Sequence, residues 1–251
     1  MTAPLLRVEK LVKRFGALVV TDELSLDVRA GEMHAVIGPN GAGKTTFIHQ
    51  LSGSLSSQAG RILFDDADIT HLDMPQRVRR GLARSFQITS ILPGQTVLAN
   101  VALAVQARSG TSFRFLRAVD HEAPLNDAAA AILDRVGLGA RKGVRAGSLS
   151  HGEKRLLEIA IAIATAPRLL LLDEPLAGLG QEEAQVCIQL LAALKREFSI
   201  ILVEHDMDAV FQLADRISVL VAGRVIATGT PDEIRANAAV RQAYLGDGEL
   251  D

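Results

Sequence analysis

Residues 33–53 read MHAVIGPNGAGKTTFIHQLSG, and this stretch decides the fold. Its first part, MHAVIG, is a short apolar run with the composition of a buried strand, and from Gly43 onward the pattern changes to a helical one. Between them, Gly38 to Thr45 fit G-x-x-x-x-G-K-[ST], and the strand-loop-helix setting is what gives that pattern meaning. A chance match in a chain of this length is on the order of one in a hundred from average residue usage, before the setting is counted. Glycines let the backbone wrap around phosphate oxygens, so the amides of Asn40, Gly41, Ala42, Gly43, Lys44, Thr45 and Thr46 are candidate phosphate contacts. Lys44 supplies a charge for β- and γ-phosphates, and the Thr45 hydroxyl is a candidate Mg²⁺ ligand. One helix end contributes only about 0.3–2 kcal/mol toward an anion, so many donors, the lysine and a metal must act together.

Outward from this loop, residues 5–32 read as short strands with turns, and GRILFDDADI as a further strand and turn. From about residue 92 to 165 alanine, leucine and arginine dominate in a helical pattern. Strand-like runs return in RLLLLDEP and FSIILVEHD, separated by an amphipathic helix over residues 181–197, and ISVLVAGRVIATG reads as a hairpin around Ala222 and Gly223. Strands separated by helices imply an α/β core with a mainly parallel sheet.

The run LLLLDE places Asp173 and Glu174 at a strand end, the edge where an α/β sheet holds its ligand. Asp173 suits a Mg²⁺ shell, and Glu174 suits polarisation of an attacking water. His205 follows the apolar strand SIILVE and can reach a γ-phosphate or orient that water. The amide of Gln87, in RSFQITS, can reach a metal or water, and Phe15 can stack on an adenine face, although alone each fits a plain surface or turn position. A second polar, helix-opening loop, LSHGEKR at 149–155, offers the Ser150 hydroxyl and free amides near His151, Gly152 and Glu153 to an anion.

Bulk properties restrict the classes of function. An apolar share of 48% is enough for a full core, while a net charge of −2 with mixed signs points to neither a nucleic-acid stripe nor an anionic-membrane patch. The basic run Arg77, Arg79, Arg80 and Arg84 reads as a solvated helix face. Cys187 lies among Val186, Leu190, Leu191 and Leu194 at helical spacing, which predicts a buried, inert thiol, and one cysteine forms no disulfide within the chain. No signal-peptide pattern opens the sequence and no run reaches ~18 uninterrupted apolar residues, so a soluble chain in a reducing compartment is expected.

Taken together and in this order, GPNGAGKTT, RSFQ, LSHGEKR, LLLLDEP and VEHD resemble the ATP-binding cassette of ABC transporters over nearly the whole chain. The resemblance implies a P-loop NTPase (RecA-like) core with an N-terminal antiparallel β subdomain and an inserted α-helical subdomain. It divides a single cassette of residues 1–251 into a catalytic core with β subdomain, 1–91 and 166–251, and a helical signature subdomain, 92–165. It also implies ATP and Mg²⁺ as cofactors, with Phe15 stacking on adenine, Gln87 as the Q-loop glutamine, Glu174 as the catalytic carboxylate and His205 as the switch histidine. Ser150 would face a nucleotide held by the Lys44 of a second cassette, identical or paralogous. Permease subunits would place the chain on the cytoplasmic face of the membrane, a solute-binding protein would be an indirect partner, and no nucleic acid would be bound.

A narrower similarity, in TVLANV, EIAIAIATAPRLLLLDEPLAGL, VEHDMDAVFQLADRISVL and VRQAYLGDG, is to the ATP-binding subunits of branched-chain amino-acid importers, a group whose relatives also carry other amino acids, amides or urea. Two departures stand out. His151 and Glu153 replace the usual glycine and glutamine of L-S-G-G-Q, and Ala177-Gly178-Leu179-Gly180 lacks the usual closing aspartate. Glu153 beside a phosphate would be repulsive unless it points away or pairs with Lys154 or Arg155, and it is expected to point away. Two other readings remain open from sequence: a soluble cassette ATPase acting on nucleic acid, and a P-loop kinase for a small metabolite.

Overall fold

In a computed structural model the described residues are 3–85, 91–108 and 123–245. Among these residues ten strands form two sheets. The smaller is antiparallel, with order β2-β1-β4-β5, where β1 is Leu6–Phe15, β2 Leu18–Val28, β4 Ala59–Phe64 and β5 Ala67–Asp68. The larger has order β10-β9-β3-β8-β7-β6, with β3 Met33–Ile37, β6 Leu82–Arg84, β7 Leu169–Asp173, β8 Ser199–Val203, β9 Arg216–Val221 and β10 Arg224–Gly229. Its pairs are parallel except for the β9–β10 hairpin. The expected hairpin turn at Ala222 and Gly223 is therefore observed, whereas β1 and β2 are ten and eleven residues long rather than short.

Nine helices are described: α1 Lys44–Ser52, α2 Met74–Arg79, α3 Val97–Arg108, α4 Ala123–Arg135, α5 His151–Ala164, α6 Gln181–Leu194, α7 Met207–Leu213, α8 Pro231–Ala236 and α9 Ala238–Leu245. Helices α3 to α5 lie in the chain between β6 and β7, within the stretch whose helical pattern is plain from sequence.

The parallel strands are covered on both faces, so their side chains divide by alternation. Leu169 and Leu171 of β7, with Ile201 and Val203 of β8, pack with Phe47, Ile48 and Leu51 of α1 and with Leu6, Val8 and Phe64 of the antiparallel sheet. Leu170 and Leu172, with Ile200 and Leu202, face the other way onto Leu157 and Ile163 of α5, Val101 of α3, Leu133 of α4 and Leu191 of α6. Each fully buried leucine or isoleucine contributes about 1.5–3 kcal/mol, and because β7 is a run of leucines covered on both faces, a one-residue slip would be felt at its ends, where Arg168 or Asp173 would change place. Cys187 lies in the second layer, and burial pushes its thiol up to about 12. Val186 does not join it. That side chain is 51% exposed, because the buried stripe of α6 runs through Ile188, Leu190, Leu191 and Leu194.

The basic run divides as well. Arg79 and Arg80 are exposed, but Arg77 is buried and donates to the carbonyls of Gln50, Leu51, Thr70 and Leu72. It therefore closes the C-terminal end of α1, the helix whose other end begins at Lys44. Arg84 is not on a helix at all: it ends β6 and is buried.

Candidate nucleotide site

Three neighbouring parallel strands, β3, β8 and β7, end together: Val36 pairs with Val203, and Val203 with Asp173. The loops leaving that row carry the phosphate loop, Glu204-His205 and Glu174. Residues far apart in sequence therefore share one sheet edge.

The phosphate loop is built on close approach. Gly43 caps α1 at φ +102°, and a Cβ there would overlap the carbonyl oxygen of Val20. Gly38 has φ +156°, and its Cβ would overlap the carbonyl oxygen of Leu220. The Gly223 N–H donates to Ala42 O at 2.9 Å, so the β9–β10 turn supports the loop from beneath. Lys44 lies over the loop, its Nζ donating to Gly38 O at 2.5 Å and Pro39 O at 3.2 Å, while Asn40, Gly41 and Thr45 are exposed and Ala42 and Gly43 are buried. Thr46 is half-buried one residue into the helix. Gly43→Ala combines backbone strain with overpacking, together costing about 3 kcal/mol. A thermal melt is expected to show Tm lowered by about 6–12 °C.

Asp173 is 1% exposed. Arg84 Nη2 donates to its Oδ2 at 3.0 Å, but its Oδ1 has no hydrogen-bond partner among the described residues. Burial raises the Asp173 pKa, with Arg84 opposing that effect. Glu174 follows at φ +49°, a left-handed conformation that costs a non-glycine residue about 1–2 kcal/mol. Two hydrogen bonds hold it there: its N–H donates to Val203 O at 2.8 Å, and Arg155 Nη2 donates to its carbonyl at 3.1 Å. His205 Nε2 lies 2.7 Å from Glu174 Oε1, which places a proton on Nε2. Glu204 is buried and accepts from the N–H groups of Leu176 at 2.6 Å and His205 at 3.0 Å, tying the two loops together. Burial raises its pKa although these bonds oppose the shift.

Ser150 caps α5 in a full capping box: the Glu153 N–H donates to Ser150 Oγ at 3.1 Å, and the Ser150 N–H to Glu153 Oε2 at 2.9 Å. Glu153 pairs neither with Lys154 nor with Arg155. The Ser150 amide and Arg141, whose Nε donates to Oε1 at 2.6 Å, hold its carboxyl below the usual range. Arg155 is instead committed to Glu158, at 2.9 Å, and to Glu174 O. Glu153→Gln keeps an acceptor for the box and weakens only a part-exposed ion pair, so the ATPase rate is expected to change less than about tenfold, or ~1.4 kcal/mol of barrier.

The two departures adjoin. His151 Nε2 lies 3.4 Å from Ala177 O and packs against Gly178. Ser150 Oγ donates to Glu183 Oε1 at 3.3 Å, and Oε2 of the same carboxylate accepts from the Gly180 N–H at 3.4 Å. Gly180 has no side chain to cap α6, so Glu183 bridges that loop to the Ser150 loop.

Phe15, at the end of β1, is 52% exposed, with Lys13 Nζ 5.4 Å from its ring centre. Gln87 lies outside the described residues. Lys44, Thr45, Asp173, Glu174 and His205 thus gather at one sheet edge, whereas Ser150 to Glu153 sit at the start of α5, linked to that edge through Arg155. Arg84, Arg155 and Glu204 lie within RSFQ, LSHGEKR and VEHD, but sequence reasoning assigns none of them a role in the site. Their membership of those motifs is the signal that could have found them.

Residues 21–177 match the family model described as ABC transporter, and residues 224–249 that of the branched-chain amino acid ATP-binding cassette transporter. The chain is 38% identical over 254 residues to the high-affinity branched-chain amino acid transport ATP-binding protein LivG of Salmonella typhimurium, covering 98% of this chain and 100% of the relative. It is 36% identical over 256 residues to BraF of Pseudomonas aeruginosa, with the same coverage. Among solved structures, a nucleotide-free ATP-binding cassette from an ABC transporter has a TM-score of 0.85 at 29% identity, covering 98% of this chain and 100% of that one. The ADP conformation of the cassette MJ1267 has a TM-score of 0.84 at 29% identity and the same coverage. Phosphate loop, carboxylate pair and helix-capping serine loop thus occur on the fold they require, and the chain belongs to the ABC transporter family as a nucleotide-binding, ATP-hydrolysing, energy-coupling subunit.

Proposed function

We propose that the chain drives uptake of branched-chain amino acids or related small polar solutes by hydrolysing MgATP between two cassettes. The observation that carries the mechanism is the Glu174–His205 pair, 2.7 Å apart at the sheet edge shared with Lys44 and Asp173. Amides 40–46 and Lys44 bind the β- and γ-phosphates, and Phe15 stacks on the adenine. The orphaned Oδ1 of Asp173, with the exposed Thr45 hydroxyl, fits Mg²⁺ held largely by phosphate and water oxygens, and Gln87 is a further candidate for that shell. When bound, the metal supplies positive charge to the phosphoryl oxygens. Glu174 takes the proton of the attacking water, and His205 fixes the carboxylate so that its orientation is set before water enters. Ser150 and the amides of α5 offer their anion site to the nucleotide of the second cassette.

Within this reading residues 1–91 and 166–251 form the catalytic core and 92–165 the helical part that meets permease subunits. Among the described residues no helix is long and apolar enough to cross a membrane, so attachment to its cytoplasmic face is assigned to the permeases. The substrate class rests on the narrower family match and on the relatives' names. Copurification after mild detergent extraction tests the assignment: membrane subunits and a second cassette are the expected partners. Recovery of the chain with nucleic acid, and DNA-stimulated hydrolysis at moderate salt, would contradict it.

A further inference from the structure

Arg84 opens the RSFQ stretch and lies against the site, yet no role attaches to it there. The parallel register sets Arg84 of β6 opposite Leu171 of β7, and its side chain reaches along the strand to Asp173. Both are buried, at 8% and 1% exposure. One carboxylate oxygen, Oδ2, accepts from Arg84 Nη2 at 3.0 Å, whereas Oδ1, together with Arg84 Nε and the neighbouring Ser85 hydroxyl, has no hydrogen-bond partner among the described residues. A buried carboxylate normally has its oxygens satisfied, so a half-used one beside a phosphate loop is an unfinished site. Helix α1 packs on both β6 and β7 and brings His49 to this side. The Arg84 and Asp173 charges both act on His49.

We propose that Arg84 is a positioning residue, which holds Oδ2 of Asp173 so that Oδ1 is presented to the metal shell of the bound nucleotide. This rests on the reading of Asp173 as a Mg²⁺ residue. Two effects of Arg84 oppose one another. Its positive charge disfavours a nearby cation, while its hydrogen bond stops the carboxylate rotating and keeps a ligand oxygen aimed. Partners that orient a ligand typically account for 10–100-fold in metal affinity. The charge effect falls with distance, and Arg84 contacts Oδ2 rather than the open Oδ1, so a cation held at Oδ1 would stand further from the guanidinium than from its ligand oxygen and orientation prevails. Lysine would keep the charge but lose the planar, extended donor set.

The test is a Mg²⁺ titration of the full chain with a fluorescent, non-hydrolysable β,γ-imido analogue of ATP, compared with binding of the same analogue in EDTA. In Arg84→Gln the Mg²⁺ concentration for half-maximal enhancement is expected to rise about tenfold or more. Affinity in EDTA is expected to stay within about twofold, since the phosphate loop is untouched. Arg84→Lys, which also serves if the glutamine variant does not fold, is expected to shift in the same direction. An unchanged or lowered Mg²⁺ requirement, a lysine variant identical to wild type, or a parallel loss in EDTA would each overturn the positioning role. Wild type and Asp173→Asn separate this from the parent reading. If wild type shows no Mg²⁺ enhancement, or Asp173→Asn retains it, the assignment of Asp173 fails and the role of Arg84 with it.

Discussion

Glu174→Gln is expected to lower steady-state ATP hydrolysis by about 10²–10⁴-fold while leaving MgATP affinity within about threefold of wild type. Glutamine is nearly isosteric and keeps an oxygen to accept from His205, so the backbone held by Val203 and Arg155 need not move. What it loses is the ability to take a proton from water. The two readouts separate chemistry from binding. A variant within tenfold of the wild-type rate would show that another group accepts the proton. A variant that lost rate and binding together would show that Glu174 holds the loop in shape.

The second large effect is at Lys44. Its ammonium contacts two carbonyls at the entrance of the phosphate loop, and it is 6% exposed. With nucleotide bound it supplies charge-assisted hydrogen bonds, which typically contribute 1.5–3 kcal/mol. Lys44→Ala is therefore expected to weaken ATP binding by about 10- to 150-fold, measured by equilibrium titration in EDTA as well as in Mg²⁺. Thr46→Ala leaves the helix amide in place and is expected to change affinity less than about threefold. Equal losses in the two variants would mean that the amides, rather than the ammonium, dominate phosphate binding.

The parts of the site legible in sequence are those whose chemistry is local. Gly38 to Thr45 form a continuous loop whose glycines are needed for backbone conformation and close approach, so spacing alone shows it. Asp173 and His205 stand at the ends of apolar strands, and the sheet's parallel order follows from their alternation with helices. Arg77 and Arg84 were illegible because burial is set by what packs above them. One arginine satisfies carbonyls at the end of α1 and the other a carboxylate 89 positions away. Glu153 illustrates the same limit: repulsion from a phosphate suggests only that it points away, and the helical geometry that turns it back to Ser150 and Arg141 cannot be read from its neighbours. Val186 fails for a simpler reason, since apolar spacing admits a residue at the border of the stripe that the neighbouring layer does not cover. The contact between His151 and the Ala177–Gly180 loop is likewise invisible in the chain, although both segments look unusual separately.

Ser150 of one cassette is proposed to complete the nucleotide site of another. The most direct test is the mass of Glu174→Gln in solution, by light scattering with and without saturating MgATP, alone and with the cassette that copurifies with it. A nucleotide-dependent pair is expected, either two copies or one of each, which Ser150→Ala weakens. A mass that stays that of one chain in MgATP under both conditions would contradict it.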